Sequence, residues 1–434
     1  MHDERRTTPR TDRVLAEPSL REAASRLGGP LVKEAVVAAL ARCRAGEVAP
    51  CDVTSVALSI LPDFATQLHR VVNATGVIVH TNLGRAPLSA AAVDALSVAA
   101  GATDVELDLT TGRRGRRGRS ALAALSAAVP HAGGVHLVNN GAAALALVTV
   151  ALAAGGRNIV VARGEMVEIG DGFRIPELLE SVGGTLREVG TTNRVRASDY
   201  ANAVDEDTAF VLKVHPSNFV VTGFTSTVSI SELSSLPVPV VADIGSGLLA
   251  PHPRLPEEPS AAACLRAGAA LVTASGDKLL GGPQCGLLLG REDLVESLRR
   301  HPFARALRVD KLTLAALEAT LTGPPPPVAV ALSSSREELM GRAEGISAEL
   351  SGTVDASAVA SSAAVGGGGA PGVEIPSAAV ALPAELAEGL RVGEPPVVGH
   401  VERGRLLLDL IAVAPGDDAA VVDAVRRAAK ALRD

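Results

Sequence analysis

The sequence predicts an α/β protein built on a mostly parallel sheet, and three observations carry that prediction. Short apolar runs recur along the chain and stop at a polar or glycine residue. Ala-rich or Leu-rich stretches at helical spacing follow them. Hydrophobic residues make up 47% of the 434, enough for a large buried core. The runs at 135–138, 158–162, 209–214 and 238–242 stop at Asn139, Arg163, His215 and Asp243. Ligands bind beyond the carboxyl ends of such strands, so these stops are where chemistry is sought first.

At about 150 residues per domain, the length suggests two or three domains. The pattern divides it into a helical module over 1–62, a large domain over 63–322 and a small α/β domain over 323–434. The charged residues 1–12 read as disordered. Ser19 with Glu22, after Pro18, forms a capping-box pattern opening a helix that stops at Gly28-Gly29. Pro30 then sits in the first turn of a helix running to about Arg44, with Leu31, Ala35, Ala38 and Ala39 near one face. From about residue 70 strands and helices alternate. A helical stretch ending at Thr322 is broken by Gly323 and Pro324 to Pro327, which reads as a boundary. Beyond it come a glycine loop, Gly366 to Gly369, and a strand pattern at 405–409.

Composition removes several classes of function. The polar first twenty residues argue against a secretory leader, and no apolar run is long enough to span a membrane, so a cytoplasmic protein is expected. Cys43, Cys51, Cys264 and Cys285 fit neither a zinc pattern nor a disulfide framework, and no metal is expected. Net charge is −7, so a nucleic-acid contact would have to come from a local patch. Tryptophan is absent and tyrosine occurs once, which argues against base-stacking platforms. Lysine occurs only at Lys33, Lys213, Lys278, Lys311 and Lys430, which narrows any search for a reactive amine.

Four constellations could carry chemistry. At Asn139-Asn140-Gly141 a strand ends and a helix begins with Ala142 and Ala143, and free N–H groups there suit a phosphate. An ordinary strand-to-helix turn fits that stretch equally well. Asp243 ends its strand before Ile-Gly-Ser-Gly247, where a carboxylate can pair with a pyridine nitrogen or simply cap a turn. Lys278, in Ser275-Gly-Asp-Lys-Leu-Leu-Gly-Gly-Pro-Gln284, leaves a strand among small residues. Desolvated lysine suits a Schiff base with pyridoxal phosphate (PLP) and proton transfer. Lys213, within a strand beside His215, is its only serious rival. Arginines crowd one loop (Arg113, Arg114, Arg116, Arg117, Arg119) and recur at Arg85, Arg305 and Arg308. Their forks suit phosphate-like anions, although a solvated charged loop accounts for the crowded cluster too. The order of phosphate turn, Asp and Lys matches PLP enzymes of the aspartate-aminotransferase fold.

Taken together, six stretches resemble the bacterial selenocysteine synthases, the L-seryl-tRNA(Sec) selenium transferases. They are 73–85, 163–170, 187–194, 213–219, 275–284 and 310–320, and the resemblance runs from about residue 14 to the C-terminus. It implies PLP fold type I, a homo-oligomeric ring of dimers (a decamer), and a tRNA-binding N-terminal module. It implies conversion of L-seryl-tRNA(Sec) to L-selenocysteinyl-tRNA(Sec) with selenophosphate, by β-elimination and β-addition through an aminoacrylyl-tRNA intermediate. Carried over by motif, Lys278 holds PLP and Asp243 pairs with its ring, while Asn140, Gly141, Ala142 and Ala143 cradle its phosphate. Arg85, Arg305 and Arg308 would hold selenophosphate. The sequence departs from the family at Ile411, where an arginine is expected, and at the prolines 324–327. The alternative is a lyase of the same fold acting on a small amino acid or amino sugar.

Overall fold

A computed structural model describes residues 8–170 and 172–433. The chain divides into two compact units, one ending at Arg70 and one beginning at Val71. The disorder expected for residues 1–12 falls partly on residues 1–7, outside the described residues; a helix already begins at Thr11.

The first unit is helical, with helices Thr11–Leu15, Pro18–Leu27, Gly29–Arg44 and Val53–Ile60. Pro18, not a Ser19 cap, opens the second of these. Its N-cap is Glu17, with no side-chain cap hydrogen bond, so Ser19 lies inside the helix. Proline's fixed φ suits the first helical position without a capping side chain. The third helix buries Val32, Val36, Ala39 and Leu40, while Ala38 is exposed. The larger side chains remove more apolar area from water than the alanines do, and they choose the face.

In the second unit the strands are β1 (Val72–Asn73), β2 (Val77–Val79), β3 (Gly134–Val138), β4 (Asn158–Ala162), β5 (Glu168–Ile169), β6 (Phe173–Arg174), β7 (Thr185–Val189) and β8 (Thr208–Val214). After them come β9 (Val240–Gly245), β10 (Leu271–Ser275), β11 (Gly286–Gly290), β12 (Ser357–Gly366), β13 (Glu374–Pro383), β14 (Val397–Val398), β15 (His400–Glu402) and β16 (Arg405–Asp409). The large sheet has seven strands in the order β3-β11-β10-β9-β8-β4-β7. Only β11 runs antiparallel to its neighbours. The helix Gly141–Leu152 buries every residue from Ala143 to Thr149, as its continuous apolar sequence requires.

The small sheet corrects the expected domain borders. Its order is β15-β16-β13-β12-β2, and β1 pairs separately with β14. Residues 72–79, assigned from sequence to the 63–322 domain, therefore complete the C-terminal one. Backbone pairing decides membership, and two- and three-residue strands carry almost no periodic signal. Asp409, fully buried, accepts hydrogen bonds from Ser361 Oγ (2.6 Å), Ser377 Oγ (2.7 Å) and the Ile411 amide (3.0 Å). Ile411 itself is buried in the core of this domain, so an apolar contact occupies the position where an arginine was expected. No helix among the described residues is long and apolar enough to cross a membrane.

Candidate active site

Register brings the central acid into place. Asp243, near the end of β9, lies opposite Thr273 on β10 and Val214 on β8. Thr273 Oγ1 donates to Asp243 Oδ1 at 2.7 Å, and the His215 amide donates to the Asp243 carbonyl at 2.9 Å. Burial pushes the Asp243 carboxyl up; the Thr273 hydrogen bond and the nearby Lys278 and His215 charges oppose the shift.

Lys278 stands in the turn joining β10 to β11. The turn is tied by its own backbone: Gly276 N–H to Cys285 O at 2.8 Å and Gly281 N–H to Lys278 O at 2.9 Å. Burial pushes the Lys278 ammonium down from the usual lysine range, against Asp243, Asp277 and Glu258, which favour the charge; Arg85 adds to the depression. Arg85 reaches the site through Asp277, with Nη1 to Oδ2 at 2.5 Å. Gly368 has φ +97°, which favours glycine, and a Cβ there would lie 2.7 Å from Lys278 Cδ, Cε and Nζ and displace the lysine. The loop of the small domain thus rests directly on the amine.

The phosphate turn is partly self-capped. Asn140 Oδ1 accepts from the Ala143 amide at 2.7 Å, so that N–H is already used. Gly141 and Ala142 keep N–H groups with no partner inside the helix. A Cβ at Gly141 would come within 2.7 Å of Ser275 Oγ, so glycine keeps the hydroxyl and the helix end together. The Ser246 hydroxyl is wholly buried and has no hydrogen-bond partner.

The arginines separate into two places. Arg85 lies beside Lys278 by way of Asp277. Arg305 ends the turn Pro302–Arg305, and Arg308 comes 3.9 Å from Glu106, which also pairs with Arg114 and Arg117. The segment between them is anchored at the phosphate turn, where the Asn139 amide donates to Leu307 O at 3.0 Å. Among the described residues no hydrogen bond or ion pair joins Arg305 or Arg308 to Arg85. The rival amine, Lys213, is committed elsewhere: it forms a close ion pair with the buried Glu165. A cavity of about 430 Å³ opens beside Asp243, lined by Glu165, Lys213, His215, Phe219, Glu258 and Pro371.

Sequence reasoning gave no role to Asp277, Thr273, His215 or Glu258. Asp277 adjoins Lys278 in a quoted motif, so it was within reach. Glu258 follows Glu257 in a proline-rich loop, and nothing local distinguishes the buried carboxylate from its neighbour.

The model of L-seryl-tRNA selenium transferase matches residues 71–414, and that of the selenocysteine synthase N terminal matches 5–44. The chain belongs to the L-seryl-tRNA selenium transferase family. It is 40% identical to the L-seryl-tRNA(Sec) selenium transferase of Hyphomonas neptunium, covering 98% of each chain. It is 41% identical to that of Geobacter sulfurreducens, over 97% of this chain and 98% of the relative. Among solved structures, a D-glucosaminate-6-phosphate ammonia-lyase shares its fold with a TM-score of 0.60, at 20% identity, covering 85% of this chain and 97% of that one. The fold is that of the type I PLP enzymes, as this family implies. The residues present fit PLP: a half-buried amine, a buried carboxylate, and free helix N–H groups beside Ser275.

Proposed function

We propose that this chain converts L-seryl-tRNA(Sec) to L-selenocysteinyl-tRNA(Sec), with PLP on Lys278 and selenophosphate as the selenium donor. The observation that carries this is Lys278, desolvated between Asp243 and the Arg85–Asp277 pair in a chain of this family. PLP, when bound, supplies an electron sink for negative charge at the substrate α-carbon. Asp243, with Oδ1 fixed by Thr273, would pair with the ring nitrogen. Gly141 and Ala142 would give their N–H groups to the phosphate, and Asn140 stabilises that helix end by capping Ala143. Burial of Lys278 favours the neutral amine, so Nζ can take the seryl α-proton. The serine β-hydroxyl takes up a proton and leaves as water, selenium bonds to the β-carbon as a proton returns to the α-carbon, and water cleaves the P–Se bond to release phosphate. Arg85, Arg305 and Arg308 hold the selenophosphate oxyanion. The separate place of Arg305 and Arg308 in one chain fits a site completed between subunits in a ring of dimers.

The N-terminal unit is the tRNA-binding module in this reading, and the family match at 5–44 supports it over a small-molecule lyase. The protein works in the cytoplasm, where charged tRNA is found. Single turnover with seryl-tRNA(Sec) and selenophosphate tests the whole reading. Selenocysteinyl-tRNA(Sec) should form, while free serine should not react. Equal turnover of free serine would favour the lyase.

A further inference from the structure

Glu258 is a buried acid at the site that neither faces the ring nor pairs with an arginine or a lysine. Its side chain is 0% exposed. One oxygen, Oε2, accepts the Ala370 amide at 2.6 Å and lies 3.2 Å from His215 Nε2. The other, Oε1, is buried with no hydrogen bond. An unsatisfied carboxylate oxygen is costly, and such a group in a folded protein calls for a role.

The two partners of Oε2 show what that role is. Ala370 closes the loop whose Gly368 rests on Lys278, and its φ is +44°, the left-handed region that alanine avoids by roughly 1–2 kcal/mol. The loop does not hold that conformation by local preference, and the Glu258 hydrogen bond supplies the restraint. His215 sits next to Asp243 through its backbone hydrogen bond. Gly369 packs on the same ground, since a Cβ there would meet Leu279 at 3.0 Å and Ser246 at 3.3 Å.

We propose that Glu258 is a positioning residue, clamping the 366–370 loop onto Lys278 while fixing the His215 ring beside Asp243. It joins the small domain to the large one at the reacting amine. The proposal rests on Lys278 being the lysine that holds PLP.

Hydrogen exchange of amides 366–370, in the full-length PLP-loaded and PLP-free protein, reads the clamp without substrate. In Glu258→Ala exchange of the loop should rise about tenfold or more, the loss of one hydrogen bond to a charged group. In Glu258→Gln the amide oxygen can still accept the Ala370 N–H, and exchange should stay within about threefold of native. Both variants lose the charge, so the pH midpoint of the Lys278-dependent visible band should fall in both. Asp243, Asp277 and Arg85, which also face Lys278, are unchanged in these variants. A packing role alone would leave the Gln midpoint where it is. Native-like exchange in the Ala variant, or an unmoved midpoint in the Gln variant, overturns the proposal. If the Ala variant does not fold, the Gln midpoint decides. A band that survives Lys278→Ala would instead sink the assignment of the lysine, so the two failures are distinguishable.

Discussion

Lys278 lies among Asp243, Asp277 and Glu258, with Arg85 alone of like charge, and burial still outweighs the three acids. A buried lysine without that surround would be neutral and slow to recapture a proton; the acids moderate the shift while leaving the amine able to act as a base. Replacing Lys278 with Ala should abolish the visible band of bound PLP, measured by absorbance. Persistence of the band would point to Lys213, despite its ion pair with Glu165. His136 offers a separate, pH-dependent prediction. Burial, with Arg299 and Arg116 nearby, pushes it down to about 4 from 6.5. A depressed folded-state value means the unfolded chain binds more protons between those limits. Stability is therefore full above about 6.5 and is lost as pH falls toward 4 and below, by at most about 3 kcal/mol. Urea unfolding of the native chain and of His136→Phe should show this: the variant loses less stability across that window. Parallel pH curves would rule the assignment out.

At the scale of single elements, the helix Gly141–Leu152 carries core residues and the proposed phosphate cradle. Its cap is a single hydrogen bond from Ala143 to Asn140 Oδ1. Asn140→Ala should cost about 1 kcal/mol of stability and weaken PLP retention, read by thermal unfolding and by dialysis of the cofactor. Full retention of PLP with the expected loss of stability would confine Asn140 to a structural role. In the helical unit, Leu40 is fully buried, and Leu40→Ala should cost about 2–5 kcal/mol by lost transfer and cavity terms. The strand-and-helix alternation was legible from residues 135–138, 158–162, 209–214 and 405–409, because half-buried and buried strands of five or more residues leave a pattern. Strands β1 and β2 left none. The Ser19–Glu22 pattern misled because a proline one residue earlier does the same work at lower entropic cost.

At the scale of the molecule, the first compact unit ends at Arg70 and the proposed catalytic residues all lie beyond it. Removing residues 1–70 should abolish tRNA(Sec) binding while PLP remains bound, measured by filter binding and absorbance. Undiminished tRNA affinity would refute the assignment of that unit. Because β1 pairs with β14 and β2 with β12, a chain cut at 323 would leave both early strands without partners. Such a truncation should be insoluble or fail to retain PLP, despite keeping Lys278 and Asp243; a soluble, PLP-loaded fragment 1–322 would show the domains to be separable after all.

The sequence by itself determined the fold class and the family, and it nominated Lys278. Those follow from features that are local or contiguous: periodic apolar runs, a rare residue type in a glycine turn, and ordered motifs along the chain. Tertiary structure alone decided that residues 77–79 complete the C-terminal sheet, that 72–73 pair with β14, and that Lys213 is occupied by Glu165. It also decided that Asp277 brings Arg85 to the amine and that Glu258 reaches Ala370, 112 positions away. Each of these is a contact between segments remote in sequence, and no single segment encodes its partner. Which buried carboxylate meets which donor is set by strand register and loop packing, which exist only once the chain has folded.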